Sequence, residues 1–227
     1  MEKLLLFDVD GTLIDKCEAH KTAFRVALKS VLGVEWTPGV SYAGRMDRFI
    51  ISDILRKKGF SENQIASNMD AIINEMISYV RKNIASDTSK AIPHVMEILP
   101  ELKKRYTLGL LTGNIEKIAE LKLGHAGLMN FFSCGGFGEV TEKRSDLVGI
   151  ATKNAEEKTG KKFSKSSIFV IGDTPHDIAC GKENGVKTIV VCTGPYSRKE
   201  LEKHNPDYLF DDFSDTDAVI KAIESPR

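Results

Sequence analysis

Leu4-Leu5-Leu6-Phe7-Asp8-Val9-Asp10-Gly11-Thr12-Leu13-Ile14-Asp15 is the stretch from which the rest of the chain is read. Leu4 to Phe7 is too short and too uniformly apolar for a helix, and it is bounded by acids and a glycine, so it predicts a buried strand. Residues two apart in an extended chain point the same way. Asp8 and Asp10 therefore converge at the strand's tip, and Gly11 lets the backbone turn away. Two adjacent carboxylates resist joint ionisation unless a cation offsets them. A hard ion such as Mg²⁺, which takes oxygen ligands, suits that need.

The chain has 227 residues, 41% of them hydrophobic and 28% charged. This is the composition of a globular protein large enough to bury its own core. Lys+Arg and Asp+Glu both total 32, and a balanced charge argues against a nucleic-acid partner. The four cysteines, Cys17, Cys134, Cys180 and Cys192, have neither C-x-x-C nor zinc-finger spacing and read as thiols of a reducing compartment. Met1 to Lys3 lead straight into the strand with no leader pattern, and no apolar run has membrane-spanning length. A cytoplasmic location is the expectation. Monomer and homodimer stay equally open.

From Lys16 the periodicity turns helical. Phe24, Ala27, Leu28, Val31 and Leu32 make one stripe, and Gly33 closes it. A turn follows at Thr37-Pro38-Gly39, and then a second helix carries Phe49, Ile50, Ile54 and Leu55. Ser61 and Gln64 have capping-box spacing and open a long helix whose apolar face runs from Ile65 to Val80. From Pro93 onward, short apolar runs alternate with helical stretches: Thr107–Leu111, Asn130–Phe137, Ser167–Ile171, Lys187–Cys192 and Asp207–Phe210 as extended pieces, with helices between and after them. Such alternation predicts crossover units and a parallel sheet. The expectation is an α/β fold, a Rossmann-like parallel sheet with helices on both faces, interrupted by an all-helical insertion. Residues 1–15 and 86–227 form the core in this reading, and 16–85 a helical cap. Gly135-Gly136-Phe137-Gly138 lacks the dinucleotide fingerprint and reads as a turn; Gly181 to Gly185 lacks Walker A spacing.

In an open parallel sheet, ligands bind beyond the carboxyl ends of the strands. Three such ends carry polar groups: Asp8 and Asp10; Thr112, Gly113 and Asn114; and Asp173, with Asp177 four residues on. Their convergence assigns a chemistry. Asp173 joins Asp8 and the Asp10 backbone carbonyl as ligands of Mg²⁺, and Asp177 holds a metal-bound water or orients the loop. The Thr112 hydroxyl and the amides after it cradle a phosphate at a helix N-terminus. Asp8 attacks phosphorus, and Asp10, its side chain kept off the metal, protonates the leaving oxygen and later activates water. A cation for the phosphoryl oxygens is expected between the second and third sites, where Lys143 and Arg144 lie together; spacing does not separate them.

Asp8-Val9-Asp10-Gly11-Thr12, then Leu110-Leu111-Thr112-Gly113-Asn114, then a basic residue, then Gly172-Asp173-Thr174-Pro175-His176-Asp177, resembles the haloacid-dehalogenase superfamily over essentially the whole chain. The resemblance is to its Mg²⁺-dependent phosphatases of the phosphoglycolate-phosphatase type, whose small helical cap is inserted after the first motif. It implies hydrolysis of a phosphate monoester of a small metabolite through an aspartyl-phosphate. That family's third motif is usually Lys-Pro, where this chain reads Glu142-Lys143-Arg144-Ser145. The presence of Asp10 favours phosphoryl chemistry over dehalogenation. Two cap residues are candidates for substrate contact: His20, at a position where related sugar-phosphate mutases carry a histidine, and Arg45 in the loop Gly44–Arg48. A sugar-phosphate mutase is the alternative within the superfamily, and a non-catalytic phospho-aspartate switch is the alternative outside it.

Overall fold

A computed structural model describes residues 2–36, 42–141 and 143–225. The expected turn at 37–39 and Glu142 lie outside the described residues. Six strands, β1 (Leu4–Phe7), β2 (Thr107–Thr112), β3 (Cys134–Phe137), β4 (Ile168–Gly172), β5 (Lys187–Val191) and β6 (Tyr208–Phe210), form one sheet in the order β3-β2-β1-β4-β5-β6. Every pairing is parallel. β1 lies between β2 and β4, with Phe7 opposite Leu110 on one side and Ile171 on the other. The strand order reverses here, so the crevice favoured for ligands opens beyond Asp8.

The alternation within β1 divides the core. Leu5 and Phe7 pack with Val95, Leu99, Leu123 and Val219, and Leu4 and Leu6 pack with Leu147, Val148 and Cys180. The first group belongs with helices α4 (Val95–Arg105), α5 (Glu116–His125) and α9 (Thr216–Glu224), and the second with α6 (Asp146–Thr159) and α7 (Pro175–Asn184). A short α8 (Arg198–Glu202) precedes β6. With both faces covered, β1 is fully buried over all four residues, which explains its unbroken apolar run.

Residues after β1 form α1 (Glu18–Leu32), α2 (Asp47–Lys57) and α3 (Glu62–Asn83). They share an apolar cluster of their own, with Phe24, Leu28, Ile54, Ile72 and Met76 fully buried, and Ile115 and Ile118 pack into it. Gly33 ends α1 in the left-handed conformation at φ 67°, and Ser61 and Gln64 make the reciprocal capping box.

Two local readings need correcting. Gly135 to Phe137 are strand and not a turn, because β3 pairs with β2 from Gly109 to Thr112 and that ladder outweighs the low strand preference of glycine. The extended piece expected from Asn130 begins only at Cys134, because residues 129–131 make a single tight helical turn.

Candidate active site

Asp8 directly follows β1, and its amide donates to the Ile171 carbonyl of β4. Its carboxylate is 4% exposed. Burial pushes the carboxyl up to about 6 against the pull of Arg144, with Asp177 and Asp10 adding to the rise. Asp173 follows β4 and is 1% exposed. Thr12 Oγ1 donates to its Oδ1 at 2.9 Å, while Oδ2 is buried with no hydrogen-bond partner among the described residues. Burial, and then Asp8, drive the Asp173 carboxyl well above the usual carboxylate value. Gly11 holds φ at 84°, and a side chain there would overlap the Asp173 carboxylate, so the turn and the close approach both require glycine.

Asp177 is the third residue of α7. Its Oδ2 accepts from Thr174 Oγ1 at 2.7 Å and from the Thr174 amide at 3.1 Å, closing a capping box, and its Oδ1 accepts from Arg144 Nη2 at 2.6 Å. Both oxygens are thus committed to the loop and to Arg144. Arg144 Nη2 also lies 3.2 Å from Asp8 Oδ1. Burial disfavours the guanidinium charge, but Asp177 and Asp8 outweigh it and raise its pKa. The pair left open by spacing is separated by geometry: Lys143 turns outward, 67% exposed, to Glu183 at 3.2 Å.

Oxygens of Asp8, Asp173 and Asp177 lie within 4.8 Å of one another. Three clustered buried carboxylates, two of them paired with one guanidinium, leave excess negative charge, and the orphaned Asp173 Oδ2 is an acceptor in need of a partner. An oxygen-only donor set of this kind fits a hard divalent cation.

Asp10 points to another set of groups. Lys122 Nζ donates to its two oxygens at 2.5 and 2.6 Å, and Asn114 Nδ2 donates to Oδ2 at 2.9 Å. Burial would raise this carboxyl, but Lys122 and Asn114 prevail and hold it below its usual value. The Asn114 side chain is thereby occupied on Asp10 and Lys122. Of the amides expected at the phosphate, those of Gly113 and Asn114, the second is engaged by a side chain, as are the two that follow it. The Asn114 amide donates to Thr112 Oγ1, that of Ile115 to Asp47 Oδ2 and that of Glu116 to Glu139 Oε2. Neighbouring side chains thus engage the amides of Asn114, Ile115 and Glu116. The buried Thr112 hydroxyl accepts one of these bonds and keeps a proton to donate.

The two cap candidates are both engaged. His20 is buried, its Nε2 3.1 Å from Asp47 Oδ2. Arg45 Nη2 lies 3.2 Å from Asp53 Oδ2, and its guanidinium stands over Phe49 at 5.2 Å. Lys122 and Asp47 escaped the sequence reading, yet each carried a signal. Ile118, Ala119, Lys122 and Leu123 form the buried side of α5, and Asp47 shares a side of α2 with Ile50, Ile51 and Ile54. A charge placed at a core position of an amphipathic helix needs a polar partner.

The chain matches the family model for haloacid dehalogenase-like hydrolases over residues 5–191, and it belongs to that family. It is similar to the pyrophosphatase PpaX of Bacillus mycoides, 28% identical over 224 residues that cover 96% of this chain and 97% of that one. It is also similar to the phosphoglycolate phosphatase of Aquifex aeolicus, 27% identical over 229 residues, covering 98% and 97%. A solved hydrolase from Pseudomonas syringae shares the fold with a TM-score of 0.67 at 19% identity, over 99% of this chain and 100% of that one. The protein is thus an enzyme of a hydrolase family, with relatives named as phosphatases. Among the described residues no helix is long and apolar enough to cross a membrane.

Proposed function

We propose that the protein hydrolyses a phosphate ester of a small metabolite, with Asp8 as nucleophile. The supporting observation is Arg144 Nη2, 3.2 Å from the buried Asp8 and tied to Asp177, next to the unpartnered oxygen of Asp173. A carboxylate oxygen of Asp8 attacks phosphorus, the bond from phosphorus to the leaving oxygen breaks, and Asp10 gives that oxygen a proton. Water, deprotonated by Asp10, then attacks the phosphoryl group on Asp8 and frees inorganic phosphate. In the resting site Lys122 keeps Asp10 a carboxylate, the form that activates water. An arriving phosphoryl dianion raises its proton affinity for the acid half. Thr112 donates to a phosphoryl oxygen, and Arg144 offsets charge on Asp8 and on the transferred group. Asp8, Asp173 and the Asp10 carbonyl are the residues to hold Mg²⁺, which when bound supplies neutralising charge and Lewis acidity.

Residues 16–85 act in this reading as a cap domain. Its own apolar cluster supports that, as does its seam with the strand ends, where the Asp47 amide donates to the Gly113 carbonyl at 2.8 Å. Arg45 and His20 sit on the cap side of that seam. The names of the relatives point to phosphoanhydrides or phosphoglycolate as substrate classes. The test is multiple-turnover phosphate release from a panel of phosphate esters and pyrophosphate, with and without Mg²⁺, in the parent and in Asp8→Asn. Mg²⁺-dependent turnover that is lost in Asp8→Asn is expected. Stoichiometric labelling without turnover, or an active Asp8→Asn enzyme, overturns the reading.

A further inference from the structure

Lys122 is 1% exposed and lies on the apolar side of α5 beside Ile118 and Leu123. A methionine would fill the same space without a charge to desolvate. Instead the ammonium has acceptors for all three of its N–H groups: the Asp10 carboxylate, Asn114 Oδ1 at 2.6 Å and His20 Nδ1 at 3.3 Å. An ammonium only donates, so His20 Nδ1 accepts, and the ring proton sits on Nε2 and is donated to Asp47 Oδ2. Asp47 Oδ2 in turn accepts from the Ile115 amide at 2.9 Å. Asp10, Asn114 and Lys122 belong to the strand-end side of the seam, whereas His20 and Asp47 lie on α1 and α2.

We propose that Lys122 is a positioning residue that fixes the Asp10 carboxylate, and that it does so fully only when the helical cap is seated, because its third N–H is accepted by His20. The inference rests on the reading above in which Asp10 exchanges protons with the leaving oxygen and with water. Cap seating and the aim of Asp10 are then one event. With α1 withdrawn, Lys122 loses an acceptor in a buried place, and its grip on Asp10 and Asn114 redistributes.

The test compares leaving groups. An alkyl phosphate needs its leaving oxygen protonated and p-nitrophenyl phosphate does not, while kcat/KM reports phosphoryl transfer to Asp8 and not the later hydrolysis common to both. Asp10→Asn lowers kcat/KM on the alkyl ester by about 10²–10⁴-fold and on p-nitrophenyl phosphate far less. Lys122→Met reproduces that selective loss, and the double variant is no worse than Asp10→Asn alone. His20→Leu, which leaves Lys122 in place, shows the same selectivity at about 3–10-fold, the worth of one hydrogen bond. An equal loss on both esters, no loss, or losses that add to those of Asp10→Asn overturn the proposal. If Lys122→Met does not fold by circular dichroism, the selectivity of His20→Leu decides in the same way. If Asp10→Asn itself keeps the parent ratio of the two esters, Asp10 is not the proton carrier and this inference falls, while phosphate labelling of Asp8 remains a separate test of the nucleophile.

Discussion

Arg144 and Asp177 are locked together at 2.6 Å in a buried pair, and this pair presents the guanidinium to Asp8. Asp177 is itself fixed by the Thr174 hydroxyl and amide. The positive charge therefore rests on a rigid helix start and not on a flexible stem. Arg144→Met should lower kcat by about 10²–10³-fold, the usual cost of removing one preorganised donor. Lys143→Met, at a 67% exposed side chain, should stay within about twofold. Steady-state kinetics on the best ester of the panel checks both. Equal losses would mean that the open pair was resolved on the wrong residue. Arg144→Lys should recover only part of the activity, because an ammonium cannot span Asp8 and Asp177 as a planar fork does.

What the sequence made legible follows from how local each signal is. The unbroken apolar runs of β1, β2 and β4 and the polar residues that end them sit within a few positions of each other, so Asp8, Thr112 and Asp173 could be located without coordinates. The Ser61–Gln64 box and the Gly33 stop are local in the same sense. The partner of Asp10 is not. Lys122 lies 112 positions away in sequence, and only its misfit among Ile118, Ala119 and Leu123 marked it. The amides that open α5 sit at a helix N-terminus, where an anion would be attracted. Asp47 and Glu139 meet two of them, brought there by the packing of α2 and of the chain after β3. Lys143 and Arg144 are neighbours, and which of them faces inward depends on the start of α6 and on Asp177, which spacing does not encode.

Metal binding should appear as stability. Asp8 is pushed up to about 6 by burial, and Asp173 is raised as well. Both carboxyls bind protons more tightly folded than unfolded, so the metal-free protein loses stability as pH rises from the unfolded value near 3.8 through about 6. A divalent cation offsets that loss where the carboxyls are ionised. Mg²⁺ at about a hundredfold its Kd should raise Tm by about 5–10 °C near pH 7.5, and by less near pH 5. Asp173→Ala should abolish the shift while the variant still melts cooperatively. Differential scanning fluorimetry against EDTA-treated protein reads all three, and an undiminished shift in Asp173→Ala would remove Asp173 from the donor set.

Cys180 should be inert. It is 2% exposed, its Sγ donates to the Arg144 carbonyl at 3.5 Å, and burial pushes the thiol up to about 12. A thiol held so far above ambient pH offers almost no thiolate for alkylation. In the native protein at about pH 8, iodoacetamide followed by peptide mass mapping should modify the half-buried Cys134 and Cys192 ahead of Cys180. Denatured protein should label all three. Early labelling of Cys180 would show that the loop carrying Arg144 opens on its own, which would also weaken the preorganisation argued for that residue.

The closeness of the loop that carries Arg45 to the second strand end leads to the last expectation. A side chain at Gly113 would overlap the Arg45 backbone carbonyl, and the Asp47 amide holds the Gly113 carbonyl at 2.8 Å just beside it. Backbone meeting backbone leaves nothing flexible to yield, so Gly113→Ala must lift the loop that carries Arg45 or distort the end of β2. Overpacking of this kind costs about 1–3 kcal/mol. If the loop yields, the cost falls on the seating of α1, α2 and α3 over the strand ends: kcat/KM should drop by about 10-fold or more, and Tm should change little because β2 itself is intact. Limited proteolysis should then cut faster within residues 16–85 in Gly113→Ala than in the parent. A large fall in Tm with an unchanged cleavage rate would place the strain in the sheet instead and show that the seam is not where residues 16–85 are held.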